Sequence, residues 1–213
     1  MILIPKSKIP KLFYRIKHRW ERHVAGPWRR TRFLFDCYRH GVAVSLPDDT
    51  IFAHPVRVWG VGGRITIERD VHFAFVGGSP WLGPIGFEMR TEESHVTLCK
   101  GVWVMRAARF MCVKSITVRN DVNIGDGCLL LDSDIHDFTP GGWNNPMKGS
   151  PIVISERARL APNVTVLKGV TIGADTVVGN SSVVQRSLPS RSVALGNPAR
   201  VVLRYAPSPT EKE

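Results

Sequence analysis

Residues 131–140 read LDSDIHDFTP. Asp132, Asp134 and His136 alternate behind a run of aliphatics, and a Gly/Pro/Asn-rich stretch follows. Three chemistries suit the pattern. A histidine with two carboxylates is a fragment of a metal site. A histidine alone, with an unperturbed pKa of about 6.5, offers neutral imidazole as a base near neutral pH. An Asp-rich segment after a strand also makes a polar turn. The metal reading is short of ligands, because no second histidine stands near His136, and His72 and His95 are too remote to assign by spacing. Local spacing alone does not choose between base and turn.

Such a histidine needs a frame, and the second half of the chain supplies one by repetition. From Ile154 an aliphatic recurs every sixth residue: Leu160, Val166, Ile172, Val178, Val184. Four residues after each of the first five stands a small or β-branched side chain, namely Ala158, Val164, Val170, Thr176 and Ser182. Six is neither the helical period nor simple strand alternation, so the unit is a short strand plus a corner, with both positions facing inward. Gly173 and Gly179 directly follow the aliphatic, as a tight corner favours.

The same hexads stand upstream at Val118, Ile124 and Leu130, with Val122 and Cys128 in the small slots. Ragged versions run through Ile67, Val71 and Phe73, then Leu98, Val102, Val104 and Ala108. The pattern predicts an all-β solenoid over residues 51–204. Segments 77–95 and 137–151 interrupt it, and long insertions in a solenoid sit outside the stack and often carry function. Residues 205–213 read as a tail.

A chain of 213 residues, 43% hydrophobic, is enough for one core. Its net charge of +11 is concentrated at the start: residues 1–40 hold eleven Lys/Arg against Glu21 and Asp36. Ile9, Leu12, Phe13, Ile16 and Trp20 follow helical spacing, so residues 1–50 read as a basic extension whose amphipathic helix caps the open end of the solenoid. Its charge adds attraction, over residues 9–32, to an anionic membrane surface or an acidic glycan. Nucleic acid is disfavoured, since no binding fold accompanies the charge. MILI is too short for the apolar core of a secretory leader, no apolar run reaches the length that spans a bilayer, and the four cysteines lack CxxC spacing, so no leader is expected. The reading is a cytoplasmic protein with reduced thiols, in peripheral contact with the inner face of the membrane.

On these repeats and on the ending ALGNPARVVLRY, the sequence resembles the hexapeptide-repeat acyltransferases over roughly residues 60–204. DSDIH, a loop, then VLKGVTIGADTVVGNSSVV is most similar to their sugar and polysaccharide O-acetyltransferase branch. The resemblance implies a left-handed parallel β-helix with three strands per coil and a homotrimer with sites between subunits. It also implies transfer of an acetyl group from acetyl-CoA to a saccharide hydroxyl, with no metal.

It further implies His136 as general base with Asp134 as its acidic partner. Coenzyme A would lie along Ala161, Asn180, Gln185 and Arg186, with Arg200 of GNPAR placed for a phosphate. Phe138, Trp143, Asn144 and Lys148 would shape the acceptor pocket, Trp143 as a platform for a sugar ring.

The chain departs from the pattern at ARLAPN, with Arg159 and Ala161 where many relatives carry Trp and Gly. Pro162 falls where some relatives direct a backbone N–H at the thioester oxygen, and proline has none, which leaves the Ala161 N–H or a side chain as donor. Alternatives are an N-acyltransferase on an amino sugar, a non-catalytic acyl-CoA-binding solenoid and, fourth, a zinc hydrase.

Overall fold

The computed structural model describes residues 24–74, 82–134, 136, 142, 145 and 147–206. The helix expected over residues 9–20 and the end of the tail lie outside them. Helix α1 (Gly26–Arg39) is followed by six coils of three short strands. Coil 1 holds β1 (Ala43–Ser45), β2 (Ile51–Phe52) and β3 (Val56–Gly60); coil 2 holds β4 (Arg64–Ile67), β5 (His72–Phe73) and β6 (Ile85–Met89). Coil 3 holds β7 (His95–Leu98), β8 (Trp103–Val104) and β9 (Arg109–Cys112); coil 4 holds β10 (Ser115–Val118), β11 (Asn123–Ile124) and β12 (Leu129–Leu131). Coil 5 holds β13 (Ile152–Ile154), β14 (Arg159–Leu160) and β15 (Thr165–Leu167); coil 6 holds β16 (Thr171–Ile172), β17 (Val177–Val178) and β18 (Val183–Val184). The pair β19 (Ser192–Leu195) and β20 (Arg200–Arg204) follows.

From β4 to β18 each strand pairs in parallel with the strand three before it, so three sheets form the walls of a prism. Sheet A runs from β1 to β16 and sheet C from β3 to β18. Sheet B runs from β2 to β17 and continues into β19 and the antiparallel β20. The regular repeat is eighteen residues, as in Val153 against Thr171 and Arg159 against Val177. Every hexad residue and every small-slot residue predicted from Val118 to Val184 is buried. Short parallel strands leave a narrow interior, which is why the regular coils alternate branched aliphatics with small groups, while the earlier coils also take in Phe52, Phe73, Phe87 and Phe110.

The corner glycines serve a purpose other than the one expected. The left-handed backbone directly before the small inward residues sits on Asp121, Gly127, Arg157, Asn163, Gly169, Asp175 and Ser181, and not on Gly173 or Gly179. Asp, Asn and Ser tolerate that region through local hydrogen bonds. Gly125 and Gly173 are small because the next coil crowds them. A Cβ on Gly173 would stand 2.3 Å from Ser190 N, and one on Gly125 would stand 2.7 Å from Leu160 O. Gly173→Ala is therefore expected to cost about 1–3 kcal/mol of stability, read as a lower urea midpoint at unchanged slope. An unchanged midpoint would mean that the Ser190 backbone yields freely.

Two expected boundaries move. β1 already pairs with β4 in the stack, so the solenoid begins before residue 51. β6 lies within the segment expected as the first insertion, yet Ile85, Phe87 and Met89 fill the core with no exposure. The strand was hidden because Gly86 and Glu88 interleave with the apolar residues and the small-slot hexad signal is absent. At the first-coil end, α1 acts as the cap: its buried Phe33 ring packs 5.5 Å from Phe52 and 6.5 Å from both Phe73 and Phe87.

All four cysteines are free and buried. Burial, with Asp36 adding to it, pushes the Cys37 thiol up to about 12, and burial pushes Cys128 up to about 11. Cys112 and Cys99 are also raised, first by burial and then by Asp132 and Glu68 respectively. At pH 8 the Cys128 thiolate is then about one part in a thousand. A chromogenic disulfide reagent is expected to titrate none of the four until denaturant is added. One rapid equivalent in native protein at pH 8 would contradict this burial. Among the described residues, no helix is long and apolar enough to cross a membrane.

Candidate active site

The site grows from the corner where β12 of sheet C ends. Leu130 points into the core and Leu131 outward; the next residue, Asp132, leaves the rung. Its side chain is fully buried, Oδ1 accepting the Val113 N–H and Oδ2 the Lys114 N–H, both at 2.7 Å. The Cys112 thiol stands 3.5 Å from Oδ2. Asp132 thus ties the preceding coil's corner in place and is not a group for catalysis. Its carbonyl accepts the Ser150 N–H at 2.7 Å, and Ser133 bridges Gly149 in antiparallel fashion. The insertion therefore leaves and rejoins the stack at one pinned base.

Beyond that base the chain is exposed at both Asp134 and His136, and the His136 backbone N–H donates to the Asp134 carbonyl at 2.6 Å. The Asp134 carboxylate, expected to orient the imidazole, forms an ion pair with Lys168. Sequence reading missed Lys168. Its signal was available in the register, since Leu131 pairs with Leu167, so residues 132 and 168 follow the same strand position one coil apart. Of the expected acceptor residues, Lys148 is exposed, while Phe138, Trp143 and Asn144 lie outside the described residues.

The expected coenzyme residues fall on separate edges. Gln185 and Arg186, both exposed, follow β18 at the corner of sheets C and A, the edge that also carries His136 and Lys168. Ala161 and the exposed Asn180 follow β14 and β17 at the corner of sheets B and C. Arg200 opens β20 at the end of sheet B. Between the first two edges lies one rung of sheet C, roughly 15 Å at ~3.3 Å per residue. That wall presents Leu129, Leu131, Leu167 and Val183 outward and half-buried.

The oxyanion expectation for Ala161 also changes. Its N–H donates to Val178 O at 2.9 Å, and the Asn163 N–H donates to Asp126 O at 2.8 Å. With Pro162 between them, this corner has no backbone donor left to offer. Arg159 points outward from β14 and is exposed. His72 pairs with Asp70 and stacks on Trp103 at 4.1 Å, and His95 contacts Thr66 and Thr97. Among the described residues, no group of three metal-ligating side chains is gathered.

Comparison with known proteins now bears on this geometry. No protein-family model matches the chain. The protein named as the lipopolysaccharide biosynthesis O-acetyl transferase WbbJ of Escherichia coli K12 is 34% identical over 102 residues, 44% of this chain and 52% of that protein. The protein named as the colanic acid biosynthesis acetyltransferase WcaF of the same organism is 52% identical over 56 residues, 26% of this chain and 31% of that one. The chain thus spans about half or less of the length of these curated relatives. A hexapeptide-repeat acetyltransferase of Vibrio cholerae, solved with acetyl coenzyme A, superposes with a TM-score of 0.51 at 19% identity, covering 89% of this chain and 83% of that one. The coiled fold is that of the left-handed parallel β-helix seen in the hexapeptide-repeat acetyltransferase of Vibrio cholerae, and over part of its length the chain is similar in sequence to proteins named as acetyltransferases.

Proposed function

We propose that the protein is an acetyl-CoA-dependent O-acetyltransferase acting on a sugar, polysaccharide or lipid-linked saccharide, with His136 as general base. The observation that carries this reading is the placement of His136. It stands exposed on an insertion whose base is pinned to the stack by Asp132, Ser133, Gly149 and Ser150. A rigid base under an exposed imidazole is what a proton-transfer group needs, since small displacements cost large factors in rate.

In the reaction, the imidazole takes the proton of the acceptor hydroxyl while that oxygen attacks the thioester carbon. The tetrahedral intermediate then expels the coenzyme A thiolate, which receives the proton from the imidazolium. The C–O bond of the ester forms as the C–S bond breaks, and no acyl-enzyme is needed. Lys168 holds the Asp134 carboxylate and so steadies the segment bearing His136. The donor to the thioester oxygen comes from outside the Ala161–Asn163 corner, whose N–H groups are committed.

The site is built between copies. His136, Gln185 and Arg186 share one edge, Ala161 and Asn180 the other, and the aliphatic wall between them suits contact with a second subunit. A homotrimer is the expected assembly, with coenzyme A running along the groove where two edges meet. Peripheral contact of the basic extension with the inner membrane face or an acidic glycan fits the +11 charge.

Mass spectrometry of the product, before and after mild alkali, tests the chemistry. The expected result is an acetyl mass added to a saccharide and lost in alkali. An alkali-stable adduct would make the product an amide and the acceptor an amino sugar, and absence of any transfer from acetyl-CoA would overturn the reading.

A further inference from the structure

The coil 1 end of the solenoid carries a surface that acetyl transfer does not use. Helix α1 packs on all three strands of coil 1, and buried Phe33 and Cys37 hold one side of it against the column. Its other side is apolar as well. Trp28, Phe35 and Tyr38 are 68%, 50% and 86% exposed, and Val24, just ahead of the helix, is 54% exposed. At about 100° per residue, Trp28, Thr31, Phe35 and Tyr38 fall within roughly 80° of one another around the axis, opposite Phe33 and Cys37. Leu34 flanks this stripe at 38% exposure.

Single exposed hydrophobic side chains are ordinary on a protein surface, whereas a row of them along one helix face marks a contact. The make-up of the row narrows what it meets. Tryptophan and tyrosine join an apolar ring to a polar edge and settle at the headgroup level of a bilayer, while phenylalanine and leucine reach the acyl boundary. An acidic glycan offers the aromatic rings a stacking face but leaves the aliphatic Val24 and Leu34 without an apolar partner.

Charge then chooses among apolar partners. Residues 1–40 hold eleven Lys/Arg against Glu21 and Asp36. The first twenty alone contain Lys6, Lys8, Lys11, Arg15, Lys17 and Arg19 and no acidic residue. A second copy of α1, or the chain's own first twenty residues, would bring cations against cations on this face. An anionic lipid surface has the complementary sign and attracts basic segments that lie within a Debye length of it.

We propose that the outer face of α1, with Trp28, Phe35 and Tyr38 at its centre, is the surface by which the protein docks on an anionic phospholipid bilayer. The solenoid then stands on its first coil. The edge bearing His136 follows β12 of coil 4, three rungs beyond coil 1 and ~14 Å away at ~4.8 Å per rung, which keeps that site clear of the headgroups. This docking rests on the peripheral contact proposed above and supplies the residues that make it. None of them lies on the edges that carry His136 or the expected coenzyme residues.

The test co-sediments the 213-residue chain with phosphatidylcholine vesicles, with and without phosphatidylglycerol. Trp28→Ser, Phe35→Ser and Leu203→Ser each remove an exposed side chain, the last on β20 at the far end. All three are expected to fold, as checked by circular dichroism and the urea midpoint. Wild type is expected to bind the vesicles that contain phosphatidylglycerol, with Trp28→Ser and Phe35→Ser each weakening binding about tenfold and Leu203→Ser leaving it unchanged. Equal binding by all variants would overturn the docking face while leaving peripheral contact to the positive field of the extension. No binding by wild type would overturn both. Lower urea midpoints for Trp28→Ser and Phe35→Ser at unchanged vesicle binding would also overturn the docking face, by showing that protein covers it. Heparin serves as a soluble acidic glycan: weaker heparin binding by these two variants, with vesicle binding unchanged, would assign the face to a glycan and overturn the lipid reading. Phe35→Ser is expected to transfer acetyl groups to a soluble acceptor at the wild-type rate, which separates failure here from failure of the proposed activity.

Discussion

His136→Ala is expected to lower acetyl transfer from acetyl-CoA by about 10²- to 10⁴-fold, the range a positioned general base supplies. The side chain is exposed, so removing it opens no cavity, and surface changes of this kind shift stability by about 0.5 kcal/mol or less. The fall should appear in kcat, with KM for acetyl-CoA nearly unchanged, because the imidazole acts on the acceptor's proton and does not hold the coenzyme. His136→Asn should fall as far, since an amide cannot take the proton. Steady-state rates with a competent acceptor decide the matter. A variant that kept its rate within a few fold would remove His136 from the mechanism and leave the segment as a polar turn.

Asp132→Asn is expected to be the most damaging single-group change in stability, costing about 3 kcal/mol. The side chain is fully buried, and each carboxylate oxygen accepts its own backbone N–H at 2.7 Å. Asparagine keeps the shape but has one acceptor oxygen. Its NH₂ must face either the Val113 or the Lys114 N–H, so two buried donors oppose each other where water cannot intervene. Because the same residue's carbonyl holds Ser150 at the base of the insertion, activity should fall together with stability. Urea unfolding and the transfer rate, measured on the same preparation, check both effects. A loss below about 1 kcal/mol would show that the carboxylate is not the tie described.

The core was legible in the sequence because a three-walled column leaves so little choice at its inward positions. Ile154, Leu160, Val166, Ile172, Val178 and Val184 each meet the same constraint once per wall, so a six-residue period survives without any knowledge of the fold. The first coils were harder to read. β6 carries its aliphatics at alternate positions without the small-slot partner, and β1 lies among basic and polar residues before the repeat becomes regular. Phe33 closes the first-coil end as the one fully buried aromatic of α1, too sparse a signal to mark a cap.

The candidate site divides in the same way. His136 could be found from the sequence because it stands where the hexad register breaks, between Leu130 and Ile154. What its neighbours do was decided by the stacking of coils. Asp132 and Asp134 are two residues apart and chemically alike, yet one is buried on two backbone N–H groups and the other is exposed and paired with Lys168. Thirty-four residues separate Asp134 from Lys168 along the chain, and only the parallel register of β12 with β15 brings them together.

The sequence by itself determined the period, the inward residues and the place where the chain leaves the stack, because these are one-dimensional consequences of a repeated short strand. Tertiary structure alone decided which carboxylate is structural, and that the Ala161 N–H is committed to Val178. It alone also placed the expected coenzyme residues on separate edges of the prism. All three depend on what lies one coil away, eighteen residues distant in a regular turn, and no local pattern encodes that contact.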